Sequence, residues 1–61
     1  NEHEKAAQAF KTVIKLDPTH FNARYSLGFT YEKLGKPGLA KIEFDRYQSL
    51  KKRFESMITK E

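Results

Sequence analysis

Cysteine is absent from the 61 residues. That excludes disulfides and thiolate metal sites. The two histidines, His3 and His20, lie far apart and form no ligand motif. No apolar run reaches membrane length. The chain also lacks a glycine-rich phosphate loop and any nucleophile-plus-base set, so neither an enzyme nor a cofactor is expected. Glu43 and Asp45 stand only two residues apart and point to different helix sides, as ordinary surface charge does. No segment alternates as a strand, and no turn suits a β-hairpin. There is no initiator Met before Asn1. A fragment is therefore expected, and a missing signal peptide says nothing of localisation.

A chain this short buries only ~60% of the surface its unfolded form exposes. Without disulfides or a metal, further burial has to come from more of the same protein, from self-association or from good helix packing. The net charge is +4, from 12 Lys and Arg against 8 Asp and Glu. Signs are mixed along the chain except at Lys51-Lys52-Arg53. That run reads either as a solvated helix face or as a contact for phosphate or an acidic partner.

Two punctuation points divide the chain into three expected helices, at about 2–17, 20–34 and 37–58. Asn1 with Glu4 forms a capping-box variant at the first start. Ala6, Phe10, Val13, Ile14 and Leu16 follow helical spacing, and Asp17-Pro18 ends the helix because the residue before proline is pushed out of the α region. Thr19 is the expected cap of the second helix. Gly35 suits a left-handed end to it. Pro37 suits the first turn of the third, where its missing N–H does no harm. Leu39, Ala40, Ile42, Phe44, Tyr47, Leu50, Phe54, Met57 and Ile58 then continue an apolar stripe almost to the chain end.

The second helix is two-faced. At 100° per residue, Leu27, Tyr31 and Leu34 share one side, whereas Asn22, Tyr25, Phe29 and the stem of Lys33 share the other. Such a helix is either sandwiched or displays one stripe to a ligand. Gly28 lies between the stripes at a cost of roughly 1 kcal/mol relative to alanine. A close crossing by another helix accounts for it.

The chain also repeats itself. Ala6 and Ala40, Phe10 and Phe44, and Leu16 and Leu50 are each 34 residues apart. Leu27-Gly28-Phe29-Thr30-Tyr31, Gly35, Ala40 and Phe44, preceded by Ala6, Phe10 and Leu16-Asp17-Pro18, resemble the tetratricopeptide repeat family, whose period is about 34 residues with an L-G-x2-Y core. The resemblance covers residues 3 to 50. It implies an all-α helical-repeat fragment of three antiparallel helices: the second helix of an incomplete repeat (1–18), one complete repeat (19–52) and an extension of the last helix (53–61). Ala6, Phe10, Leu27, Gly28, Tyr31, Ala40 and Phe44 would be its packing residues.

Several positions depart from the pattern. Arg24 holds the slot usually given to Trp, with Tyr25 beside it to supply aromatic mass. Pro37 replaces an aromatic, Tyr47 a small residue and Lys52 the closing proline. The third helix is thus expected to run on and cap the end of an array.

The resemblance further implies a scaffold that binds a protein or peptide on a concave face, here Asn22, Tyr25, Ser26, Phe29 and Lys33. For Phe29, packing on a neighbouring helix stays open as the other reading. Some members of the family clamp C-terminal carboxylates with cationic residues. The matching slots Asn22, Tyr25, Ser26 and Phe29 carry no such charge, so an apolar or aromatic segment fits better. Partly uncovered Ala6, Phe10, Val13 and Ile14 make a homo-oligomer expected, by end-to-end stacking or by helix exchange across a Lys36-Pro37-Gly38 hinge. The alternative reading is a basic contact of the C-terminal helix with nucleic acid or an anionic membrane.

Overall fold

A computed structural model describes residues 1–58. They form three helices, α1 (Glu2–Leu16), α2 (Phe21–Lys33) and α3 (Pro37–Ile58). No strand occurs among the described residues. This is the all-α helical-repeat fold expected, with helix ends displaced by no more than a residue.

Local chemistry sets the boundaries. Asn1 Oδ1 accepts from the Glu4 N–H at 2.9 Å, and the Glu4 carboxylate reaches back to within 3.5 Å of the Asn1 nitrogen. Donors at the helix start are thereby satisfied. Asp17 leaves the helical region ahead of Pro18. Its carboxylate accepts from both the backbone N–H and the hydroxyl of Thr19, at 3.2 and 2.8 Å. Thr19 is thus occupied and is not the cap of α2. His20 takes that role, its Nδ1 accepting from the Ala23 N–H at 3.1 Å.

At the far end of α2, Gly35 adopts φ 75°, which favours glycine because no Cβ meets the backbone. The Lys36 N–H donates to the Tyr31 carbonyl and the Gly35 N–H to that of Glu32. These are the two bonds of a Schellman cap. Pro37 and Gly38 then belong to α3. The expected three-residue hinge is therefore not a loop: its last two residues are already helical, because proline presets the φ of a first turn.

Helix α2 packs against both neighbours, while no Cα of α1 lies within 8 Å of one in α3. The core is small. Ala7, Leu27, Tyr31 and Ala40 are buried together, with Phe10, Ile14, Leu34 and Phe44 packed around them. Ala6 is only partly covered, and its neighbour Ala7 is the core residue of α1. Each of α1 and α3 packs on α2 and not on the other, so the same repeat position meets different surroundings on the two helices. Leu16, expected on the apolar stripe, is 81% exposed because α1 ends there, beyond the reach of a partner.

Gly28 lies where α3 crosses. A Cβ there would stand 2.7 Å from Cε1 of Phe44. The missing side chain is what lets the Phe44 ring seat on the α2 backbone.

Candidate functional site

The exposed side of α2 carries the five residues expected to bind. Turns of 3.6 residues bring Asn22, Ser26, Phe29 and Lys33 to one strip, with Tyr25 at its edge. Tyr25 and Phe29 are 45% and 51% exposed. Both rings are available to solvent on one side, so Phe29 is no core residue of this chain.

The five residues divide between two neighbours. Asn22 and Ser26 border a shallow depression whose other wall is Phe10 and Val13 of α1. Ser26, Phe29 and Lys33 continue it toward His3, again with Phe10 as floor. Tyr25 instead leans on α3, with its ring 4.9 Å from Tyr47 and 5.6 Å from Phe44. Phe29 joins the two parts. Its ring centroid is 6.1 Å from that of Tyr25, and Lys33 Nζ lies 5.9 Å from its own. Tilted aromatic pairs at such spacing add about 0.5–1.5 kcal/mol each beyond burial. These ring contacts hold the ridge in shape.

The remaining expected packing residues lie behind the strip. Leu27 and Ala40 are 2% and 1% exposed, and Tyr31 is buried with them. Thr30, also buried, donates its hydroxyl to the Ser26 carbonyl at 2.9 Å. Phe10 and Phe44 each serve twice, packing on the core and supporting the exposed strip.

Arg24 and Glu43 differ from expectation. Glu43 is not surface charge: its side chain is 12% exposed, that of Arg24 is 13%, and Arg24 Nη1 donates to Glu43 Oε1 at 3.1 Å. An ion pair between α2 and α3 thus stands in the slot that the repeat pattern usually gives to Trp. The buried Nε of Arg24 has no partner in the structure. Asp45 does behave as surface charge, reaching Lys41 at 3.5 Å with both side chains exposed.

Phe21 was not foreseen. It continues the aromatic series 21, 25 and 29 along α2, one turn apart, and that spacing is the signal that reveals it. Its ring meets Tyr47 at 6.0 Å and Phe54 at 5.5 Å. Among the described residues, no three His, Asp or Glu side chains are placed to share a metal ion. No helix among them is long and apolar enough to cross a membrane.

Comparison with known proteins bears on this arrangement. A TPR repeat family model matches residues 1–35, and a tetratricopeptide repeat model matches residues 21–54. The protein bimA of Emericella nidulans is 42% identical over 43 residues, which cover 70% of this chain and 5% of that protein. Anaphase-promoting complex subunit 3 of Schizosaccharomyces pombe is 33% identical over 58 residues, covering 95% of this chain and 9% of that subunit. The chain thus spans less than a tenth of the length of these curated relatives. No solved structure matches it significantly.

Proposed function

The chain belongs to the tetratricopeptide repeat family, a fold of protein–protein interaction, and on that premise we propose that its α2 strip binds an apolar or aromatic peptide segment of a partner protein. The half-exposed pair Tyr25 and Phe29 carries this reading. Large, stiff rings held by their neighbours give contact area at small entropic cost and are frequent binding hot spots. Asn22 and Ser26 would meet backbone groups of the segment, and Lys33 its polar flank. No cationic cluster lies among Asn22, Tyr25, Ser26 and Phe29, so a carboxylate clamp is not the mode proposed.

One relative is, by its name, a subunit of the anaphase-promoting complex. A multiprotein assembly is therefore the setting proposed for the protein that contains this chain. The test is affinity capture with the full-length protein, wild type against Tyr25→Ala and Phe29→Ala. Each variant is expected to remain helical and to weaken capture of a direct partner by about thirtyfold, the effect of losing one hot-spot side chain of about 2 kcal/mol. Folded variants that keep every partner at full strength would defeat the reading.

A further inference from the structure

The 34-residue repeat breaks at one place, and the break builds a second surface. Helix α1 stops at Leu16, before Asp17-Pro18. In the same register α3 would stop at Leu50. It continues instead to Ile58, eight residues further, or about 12 Å at ~1.5 Å per residue. The small core lies elsewhere, yet this extra length is not polar. Phe54, Met57 and Ile58 are 47%, 72% and 63% exposed.

These residues do not form an even ridge. Phe54 packs on the ring of Phe21, and the two helices enclose a notch lined by Thr19, Phe21, Leu50, Arg53, Phe54 and Met57. Its walls are apolar, and its charged lining residue is cationic. Lys51 and Lys52 adjoin it in sequence, and Lys51 Nζ lies over the Tyr47 ring at 5.7 Å. Three of the four net positive charges of the chain fall in residues 46–61, and Glu55 is the one acidic residue from 46 to 58. Asp17, the acidic residue nearest in the loop, has its carboxylate engaged by Thr19.

From this we infer that the notch between the start of α2 and the overshoot of α3 is a second docking site, and that its occupant is an acidic peptide segment with one bulky apolar side chain. The apolar side chain fills the notch; a carboxylate beside it faces Arg53 in the notch wall. A concave apolar notch with Arg53 in its wall, on the basic end of the chain, suits an inserted side chain. A bilayer surface is met instead by a continuous convex apolar face flanked by cations. The site is separate from the α2 strip and does not depend on the function proposed for that strip.

The test titrates the full chain with a short labelled peptide carrying one Phe flanked by Glu. A twin with Lys for Glu serves as control, as do vesicles of phosphatidylcholine with phosphatidylserine. Backbone amide NMR shifts locate the contact. The acidic peptide is expected to move Thr19, Phe21 and residues 50–57 and to bind more weakly as salt is raised. Arg53→Glu and Met57→Glu alter exposed side chains and should preserve helicity. Each is expected to weaken binding by about tenfold, whereas Lys5→Ala, at an exposed position of α1, leaves it unchanged. The inference fails if the two peptides bind equally or not at all. It also fails if the shifts fall on Asn22–Lys33, or if only the anionic vesicles bind.

Discussion

Phe44 occupies the space that a side chain at position 28 would need, which makes Gly28 a contact residue despite having no side chain. Alanine there adds about 1 kcal/mol of helix propensity. It also places a methyl 2.7 Å from the Phe44 ring, and overpacking of that kind costs about 1–3 kcal/mol. Gly28→Ala is therefore expected to lower stability by about 1 kcal/mol, read by chemical denaturation. Phe44→Leu in the same chain should recover part of the loss, since the two sites share one contact. A plain gain in stability from Gly28→Ala would contradict the close crossing. The same position shows how local sequence speaks for tertiary contact: a mid-helix glycine announces an approach, but not which ring makes it. Arg24 shows the reverse. Its place in the pattern suggested a missing aromatic, and nothing nearby in sequence pointed to Glu43, nineteen residues on.

Helix α2 is held between its neighbours by two kinds of force, apolar packing around Leu27 and Tyr31 and the Arg24–Glu43 pair. Removing one partner of a largely buried pair strands the other charge. Glu43→Gln is therefore expected to cost about 3 kcal/mol, read as a lowered denaturation midpoint. Arg24→Met with Glu43→Leu should restore most of it, because well-packed apolar side chains replace such pairs at little net cost. If the double variant is as unstable as the single, the pair does more than fill space and balance charge. Helix ends were readable because capping is local: Asn1 with Glu4, Asp17-Pro18 and Gly35-Lys36-Pro37 act within a few residues. The Thr19 cap was misjudged for the same local reason. Two acceptors, Asp17 and His20, flank that threonine, and only the folded turn shows that its hydroxyl donates to Asp17.

Across its shortest dimension the Cα trace spans 12 Å, against 46 Å along its longest. Three helices in so elongated an outline can bury little between them. Among the described residues the buried apolar ones are Ala7, Ala23, Leu27, Tyr31 and Ala40, and no large side chain is fully enclosed. Such a fragment gains by stacking, as repeats do on one another. The isolated chain is accordingly expected to self-associate through its uncovered apolar residues, end to end rather than by exchange, since the α2–α3 connection is short and capped. Sedimentation velocity over a concentration series checks this. A cooperatively unfolding monomer that persists at high concentration would refute it.

The sequence by itself determined the three helices, their breaks and the 34-residue phase, because hydrophobic period and capping chemistry are written in neighbouring residues. It also singled out the two-faced second helix, whose half-exposed Tyr25 and Phe29 remain the strongest candidates for contact. Only the tertiary structure decided which face of each helix meets which neighbour. That choice placed Ala7 rather than Ala6 in the core, drew Glu43 inward to Arg24 and set Phe21 against Phe54 to open the notch. The physical reason is that burial and pairing depend on where α1 and α3 approach α2 in space. Two helices with the same repeat motif can meet a third along different parts of its surface.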